Sequence, residues 1–405
     1  MPTNKQQQLV PALRFPEFEG EWKKREFEEL TVRSKEKYNP KKDQEFLPCI
    51  ELESLSTETG ILLSTFDSRE QKSIKNRFYK GQVLYGKLRP YLKKYLIAPF
   101  DGVCSSEIWV FKTKKVLDIF LYYIIQSERF NTIANISTGT KMPRADWKYI
   151  SSVPFTIPSL PEQQKIAHFL TLTDRKITLL QELVHQLQIF KKGLMEQLFS
   201  QQLRFLEENG EAFPNWEKKR LGEVFHRVKT KNKENNQNIL TISAQLGLIN
   251  QLDFFNKSVS ARNVTGYYLL EKGDFAYNKS YSKGYPMGAI KRLNRYDKGV
   301  VSTLYICFRI KDNQTSPSFF EHYFEHTSIN KELHTIAQEG ARNHGLLNVS
   351  IVDFFELIRV DIPTLPEQKK IAHLLSSLDQ QIQLIEAQVQ ARQEHKKGLL
   401  QQLLV

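Results

Sequence analysis

Several short stretches of the chain hold residue types at spacings that chemistry uses. In GQVLYGKLRPY, Gly81, Gly86 and Lys87 have the G-x-x-x-x-G-K spacing of a loop whose backbone amides and lysine cradle phosphates. The next position should supply a magnesium-binding hydroxyl, and it is Leu88. Such a loop also runs into a helix, whereas Pro90 disfavours helix at the residue before it. In HYFEH, His322 to His326 match H-x-x-E-H, which sets two imidazoles one helical turn apart for zinc, with Glu325 as the base. E-x-K occurs at Glu21–Lys23 and Glu217–Lys219, without the preceding Pro-Asp that a nuclease wants. No G-x-S-x-G, no defensible Ser-His-Asp set and no Asp/Asn-Pro-Pro-aromatic tetrapeptide for adenine methylation is present. The expectation is that no residue of this chain is catalytic, cofactor-binding or metal-binding.

The elements that carry these stretches come in two copies. IPSLPEQQKIAHFL begins at Ile157 and IPTLPEQKKIAHLL at Ile362; KKGLMEQLF begins at Lys191 and KKGLLQQLL at Lys396. Both pairs stand at one offset of 205 residues (362 − 157 and 396 − 191). Each copy reads as one long helix, with Pro158 and Pro161, or Pro363 and Pro366, where proline costs little in a first turn. Apolar residues then recur at steps of three and four: Ile166, Leu170, Ile177, Leu180, Val184, Leu187, Leu194 and Leu198 in the first copy. The second has Ile371, Leu375, Leu378, Ile382, Ile385, Val389, Leu399 and Leu403. That period is the seam of a coiled coil. A rod of about forty residues spans roughly 60 Å and cannot bury such a seam alone, so the matching copy is the natural partner. The segments Leu160-Pro161-Glu162-Gln163 and Leu365-Pro366-Glu367-Gln368 open the two helices and are assigned with this seam and partner surface.

The stretches before each helix correspond more loosely. Leu13-Arg14-Phe15 leads to Trp22, and Leu203-Arg204-Phe205 to Trp216; GVCSSEIWVFK answers GVVSTLYICFRI, both alternating as strands do. KQQQLVPALRF before the first globule resembles EQLFSQQLRF at the end of the first helix, so the repeat is cyclic. The expected fold class is α+β: two globular domains separated by two long antiparallel helices forming a coiled coil, with an internal pseudo-two-fold repeat. The divisions fall at residues 1–156, 157–202, 203–361 and 362–405.

The duplication also answers the phosphate-loop question. Gly81, Tyr85 and Lys87 match Gly273, Tyr277 and Lys279, while Gly86 becomes Asn278 and Leu88 becomes Ser280. Neither half keeps a complete phosphate loop; both keep a glycine turn, a short strand and an exposed lysine. For HYFEH, the first-half counterparts of His322, Glu325 and His326 are taken as Tyr122, Ile125 and Gln126. The metal pattern is then not shared, and the segment reads as a surface helix with two solvated histidines.

Of 405 residues, 40% are hydrophobic and 25% charged, the composition of a globular protein. A net charge of +13 attracts polyanions. No run of 18 apolar residues spans a membrane. Isolated Cys49, Cys104 and Cys307 suggest a reducing compartment, and with no apolar leader the expected location is the cytoplasm. Basic residues gather in loops that recur in both halves: Lys87, Arg89, Lys93 and Lys94; Lys141 and Arg144; Lys279 and Lys283; and Arg342, Asn343 and His344. Arginine and lysine suit guanine, asparagine suits adenine, and lysine more often holds phosphate. Any one of them could be an ordinary solvated side chain; as a recurring set they favour DNA binding.

With its paired IPSLPEQQKIA and IPTLPEQKKIA segments, GKLRPY and STGTKMPR, the chain resembles over its full length the specificity subunits of type I restriction–modification systems. The resemblance implies a non-catalytic subunit that binds double-stranded DNA. By that resemblance each globule would be a target-recognition domain reading half of a split site, and the helices would set the spacer. It also implies docking of two methylation subunits on the helices, and restriction subunits beyond them; S-adenosylmethionine, ATP and Mg2+ belong to those partners. The second half departs, with GARNHGLLN in place of STGTKMPR, as different half-sites require. Two other classes stay open: a nuclease-like enzyme with an unrecognised site, and a coiled-coil adaptor that never touches DNA.

Overall fold

The computed structural model describes residues 10–43, 45–136, 142–255, 263–282, 284–326, 328–338 and 347–404. Contacts divide the chain into two compact units, Met1–Glu182 with Glu386–Val405, and Leu183–Ile385. The divisions between units therefore fall inside the long helices, Leu160–Phe199 and Leu365–Leu403, rather than at their ends.

In the first unit an antiparallel sheet has the strand order Thr31–Arg33, Ile108–Thr113, Val83–Gly86, Tyr95–Ile97, with Trp109 opposite Tyr85. The turn into Val83–Gly86 needs a left-handed residue, which Gly81 supplies at φ 86°. Beside this sheet, Lys23–Glu26 pairs with Pro154–Ile157. A second sheet joins Lys37–Tyr38, Lys75–Phe78, Gly102–Cys104, Pro48–Ile50 and Phe66–Asp67, with one parallel step at Cys49–Val103. The core is aromatic: Phe27 meets Phe111, Phe130, Trp147 and Phe155 at centroid distances of 5.2–6.0 Å.

The second unit repeats the plan. Its sheet has the order Phe225–Arg227, Ile306–Ile310, Phe275–Asn278, Ala289–Arg292, with Ile306 opposite Tyr277 and Gly273 at φ 99°. Glu217–Arg220 pairs with Arg359–Ile362, and Ile239 bridges Val300 in parallel as Cys49 does Val103. Phe225, Phe275, Phe308, Phe320 and Phe324 fill its core.

Each unit completes its core with half of each long helix. In the first, Ile166, Ala167 and Leu170 share a buried cluster with Leu399, Leu400 and Leu403 and with Phe120 and Ile124. In the second, Met195, Leu198 and Phe199 share one with Ile371, Ala372 and Leu375 and with Phe319 and Tyr323. Leucine-sized side chains buried in this way stabilise by about 1.5–3 kcal/mol each. Within the first unit Asp174 pairs with Lys396 at 2.6 Å, and Leu13 N–H donates to the Gln402 carbonyl beside the clamp on Glu162. The two half-helices thus run antiparallel there. Within the second, Lys191 pairs with Asp379 at 2.5 Å. The 205-residue offset carries Asp174 onto Asp379 and Lys191 onto Lys396, so both units use the same ion pair.

Candidate nucleic-acid interface

Each long helix is fastened to its globule by a buried carboxylate. Glu162 is 2% exposed, and accepts from Arg14 Nε at 2.7 Å, Arg14 Nη2 at 2.9 Å and Trp22 Nε1 at 3.1 Å. Glu367, 0% exposed, accepts from Arg204 Nε at 3.1 Å, Arg204 Nη2 at 2.8 Å and Trp216 Nε1 at 3.1 Å. The carboxylates hold both guanidinium groups above their ordinary pKa, chiefly through these hydrogen bonds. Gln163 accepts from Leu117 N–H and donates to the Pro158 carbonyl; Gln368 accepts from Ser316 N–H and donates to the Pro363 carbonyl. The P-E-Q segment thus ties helix to globule within one unit, in place of a seam position. Leu160, Pro161 and Pro366 are exposed and Leu365 is half-buried. Ile166, Ile177, Ile371, Ile382 and Leu399 are buried, and Val184, Leu194 and Val389 half-buried.

On the first globule, two basic loops distant in sequence are stitched into one surface. Leu88 bridges Arg144, Arg89 N–H donates to the Pro143 carbonyl at 2.8 Å, and Ala145 N–H to the Lys87 carbonyl at 2.8 Å. Arg89 and Lys93 flank the turn Pro90–Leu92 in the left-handed region, at φ 53° and 47°, which is uncommon for residues with a Cβ. Backbone strain of this kind clusters at functional sites. The turn also shows why Gly81–Lys87 is no phosphate loop: after Gly86 comes this short turn and not a helix N-terminus. Arg89 and Arg144 are exposed; Lys93 pairs with Glu58 at 2.9 Å. Lys87, half-buried, lies 3.9 Å from the Glu107 carboxylate. Lys94 donates Nζ to the Leu52 carbonyl, which ties it to the turn Leu52–Ser54. Lys141 lies outside the described residues.

On the second globule, Leu347 N–H donates to the Lys279 carbonyl at 2.9 Å, the counterpart of the Ala145–Lys87 stitch. Lys279 is half-buried. Lys283, Arg342, Asn343 and His344 lie outside the described residues. Tyr85 and Tyr277 sit in the cores, where burial pushes both phenols above their ordinary pKa; they are not surface neighbours of the lysines. The sequence reading passed over exposed Tyr91 and Met142 on the first surface, Tyr281 and Leu304 on the second, and Glu107. Glu107 stands in the turn just before the strand Ile108–Thr113, and residue type gives no sign of its partner in space.

HYFEH is neither zinc site nor solvated surface. His322 and His326 are 5% and 8% exposed. His322 Nε2 bonds Ser376 Oγ at 2.9 Å, and His326 Nε2 bonds Glu196 Oε2 at 2.8 Å. Glu325 is taken up by Tyr285 and Lys291. Among the described residues no cluster of three or more metal-ligating side chains is present. The counterparts are also one residue along from those expected. Gln163 accepts from Leu117 N–H as Gln368 does from Ser316 N–H, so His322, Glu325 and His326 match Tyr123, Gln126 and Ser127. Tyr123 bonds Thr171 and Asp174, while His322 bonds Ser376 and lies 3.8 Å from Asp379. Burial and nearby Lys191 lower the His322 pKa to about 4, against the pull of Asp379.

Two units repeat one β-frame, each with a stitched loop contact and half of each long helix. The chain belongs to the family described as the type I restriction modification DNA specificity domain, whose model matches residues 19–188 and 214–392. It is 35% identical over 94 residues to the type I restriction enzyme EcoDI specificity subunit of Escherichia coli, across 23% of this chain and 21% of that one. It is 31% identical over 134 residues to the HindI specificity subunit of Haemophilus influenzae, across 31% of this chain and 29% of that one. The chain therefore spans less than a third of the length of these relatives in the matched regions. In fold it is similar to the S subunit of a type I restriction–modification system from M. genitalium, with TM-score 0.56, 16% identity and 98% and 99% of the two chains covered. A chain from a structure of type I restriction–modification complex assembly gives TM-score 0.57 at 16% identity, covering 94% and 96%.

Proposed function

We propose that this chain is the DNA-specificity subunit of a type I restriction–modification complex, and that each globule reads one half of a split site in double-stranded DNA. The observation that carries this reading is the pair of stitched loop surfaces: one backbone frame, repeated, presenting different side chains. A duplicated frame with unlike surfaces suits two unlike half-sites, and the +13 charge supplies the attraction to phosphate. Residues 1–156 and 203–361 are the target-recognition domains, and 157–202 and 362–405 the spacer helices, paired as an antiparallel coiled coil that docks the methylation subunits. Lys87, Arg89, Lys93, Lys141, Arg144, Lys279, Lys283, Arg342, Asn343 and His344 face DNA in this reading. The chain itself performs no chemistry: S-adenosylmethionine serves the methylation subunits, and ATP and Mg2+ the restriction subunits, in the cytoplasm.

Tethering two readers makes the second contact intramolecular, which raises avidity when the spacing fits. A heptad inserted after Leu180 and another after Ile385 lengthens both helices in step. Methylation mapping of cells carrying the variant with its partner subunits should then show unchanged half-sites and a longer gap. An unchanged gap would refute the spacer role, and absence of any bipartite site with the unaltered chain would refute the DNA-specificity reading itself.

A further inference from the structure

The geometry points to Arg144 as a guanine-reading side chain of the first globule, held in its reading pose by Glu107; this rests on the DNA-specificity reading above. Glu107 receives Arg144 Nε at 3.0 Å on one oxygen and Arg144 Nη2 at 3.4 Å on the other. That is a side-on pair. A guanidinium carries five N–H donors in a fixed fork, and this arrangement uses the Nε edge. The end-on pair of donors, one from each terminal nitrogen, is left for another acceptor. Two parallel donors of this kind match the O6 and N7 acceptors of guanine in the major groove, the commonest specific contact of arginine with DNA.

Both partners are fixed from behind. Lys87 N–H donates to the Glu107 carbonyl at 2.9 Å, and the bridge from Leu88 to Arg144 sets the opposite loop. Backbone bonds from both sides thus determine the register between carboxylate and guanidinium. With side-chain exposures of 48% for Arg144 and 26% for Glu107, the arginine is the more exposed partner of the pair. A long, otherwise mobile side chain is thereby ordered before it meets DNA, so less conformational entropy is lost on binding.

Among the described residues of the second globule, the carboxylate of this pair has no counterpart. Ile108 N–H closes a turn onto the Ser105 carbonyl, and Tyr305 N–H closes the same turn onto Ser302. With Trp109 facing Tyr85 as Ile306 faces Tyr277, Glu107 falls on Leu304. Leu304 is 64% exposed, an apolar tip where the first globule has a carboxylate. The two surfaces therefore differ in kind at one equivalent position, as readers of unlike half-sites must.

Glu107 is a positioning residue in this scheme, and Arg144 makes the base contact. The test uses the complex of this chain with its methylation subunits, acting on a DNA library randomised in both half-sites and read by methylation sequencing. Arg144→Ala should relax guanine preference at one position of one half-site by about 5- to 150-fold. Glu107→Gln should relax the same position by about 2- to 5-fold, the share that an exposed ion pair contributes. The other half-site, read in the same complex, reports that the chain is folded. Unchanged preferences in both variants overturn the assignment, and so does a loss spread evenly over all positions, which marks a phosphate contact. If the unaltered complex shows no bipartite preference, the DNA-specificity reading fails; if it does and the variants match it, this assignment alone fails.

Discussion

Replacing Arg204 by methionine leaves the Glu367 carboxylate buried with Trp216 Nε1 in place of three donors. Glu367 has no exposure to recover hydration through, while the arginine side chain is itself 21% exposed. Removing one partner of a buried pair costs about 3–5 kcal/mol, because the surviving charge is uncompensated. A unit of this size loses about 2–4 °C per kcal/mol, so its melting transition should fall by about 6–20 °C. Arg204→Met with Glu367→Leu removes both charges and should recover most of the loss, since an apolar pair of similar volume is often neutral. Scanning calorimetry of the whole chain separates the outcomes if the two units melt apart, and the first unit, fastened by Arg14 and Glu162, serves as the internal reference. A single variant within about 1 kcal/mol of the unaltered chain, or a double variant no better than the single, would refute the clamp.

Acid should weaken the second unit first. His322 has a folded pKa of about 4 against 6.5 when unfolded, so the unfolded state binds more protons between those values. Stability is then full above pH 6.5 and falls by on the order of 2–3 kcal/mol as pH drops to 4. His322→Gln should flatten that part of the stability profile measured by urea unfolding. Arg89→Gly should leave stability equal or about 0.5–1 kcal/mol higher, by relieving a left-handed residue with a Cβ. The same variant should weaken DNA binding by the complex and reduce the slope of log affinity against log salt by about one contact, measured by titration at several salt concentrations.

Much of the frame was legible because duplication writes it twice. The 205-residue offset marks both long helices, and Gly81 with Gly273 marks the turn into equivalent strands. The pairing of half-helices was not legible in detail. Seam periodicity shows that Ile166 and Leu399 face apolar neighbours, but only long-range contacts show that both complete the first unit's core. The duplicated segments place Glu162 and Glu367 with the seam and partner surface, and nothing local points to their donors, Arg14 and Arg204, which lie 148 and 163 residues earlier in the chain. Tyr123 was missed as the counterpart of His322 by one residue, since tyrosines at 122 and 123 align equally well by sequence. At the loop surface, residue type flagged the cations but not Glu107, whose meaning lies in the side chain it holds.

One ion pair, used twice, shows how repeats of a single plan come to behave differently. Asp174 with Lys396 and Asp379 with Lys191 are equivalent by sequence offset and by geometry. Over the first pair sits Tyr123, whose hydroxyl donates to Asp174 at 3.0 Å and whose ring lies 5.6 Å from the Lys396 ammonium. Over the second sits His322, which bonds Ser376 and lies 3.8 Å from Asp379. A phenol stays neutral through the whole range in which proteins work, and burial pushes this one further up. An imidazole does not, and its protonation would set a third charge beside Lys191 and Asp379. Exchanging the two by Tyr123→His and His322→Tyr should therefore carry the acid sensitivity from the second unit's transition to the first. Calorimetry at pH 5 and pH 7 decides it: sensitivity that stays with the second unit would place its origin outside this contact.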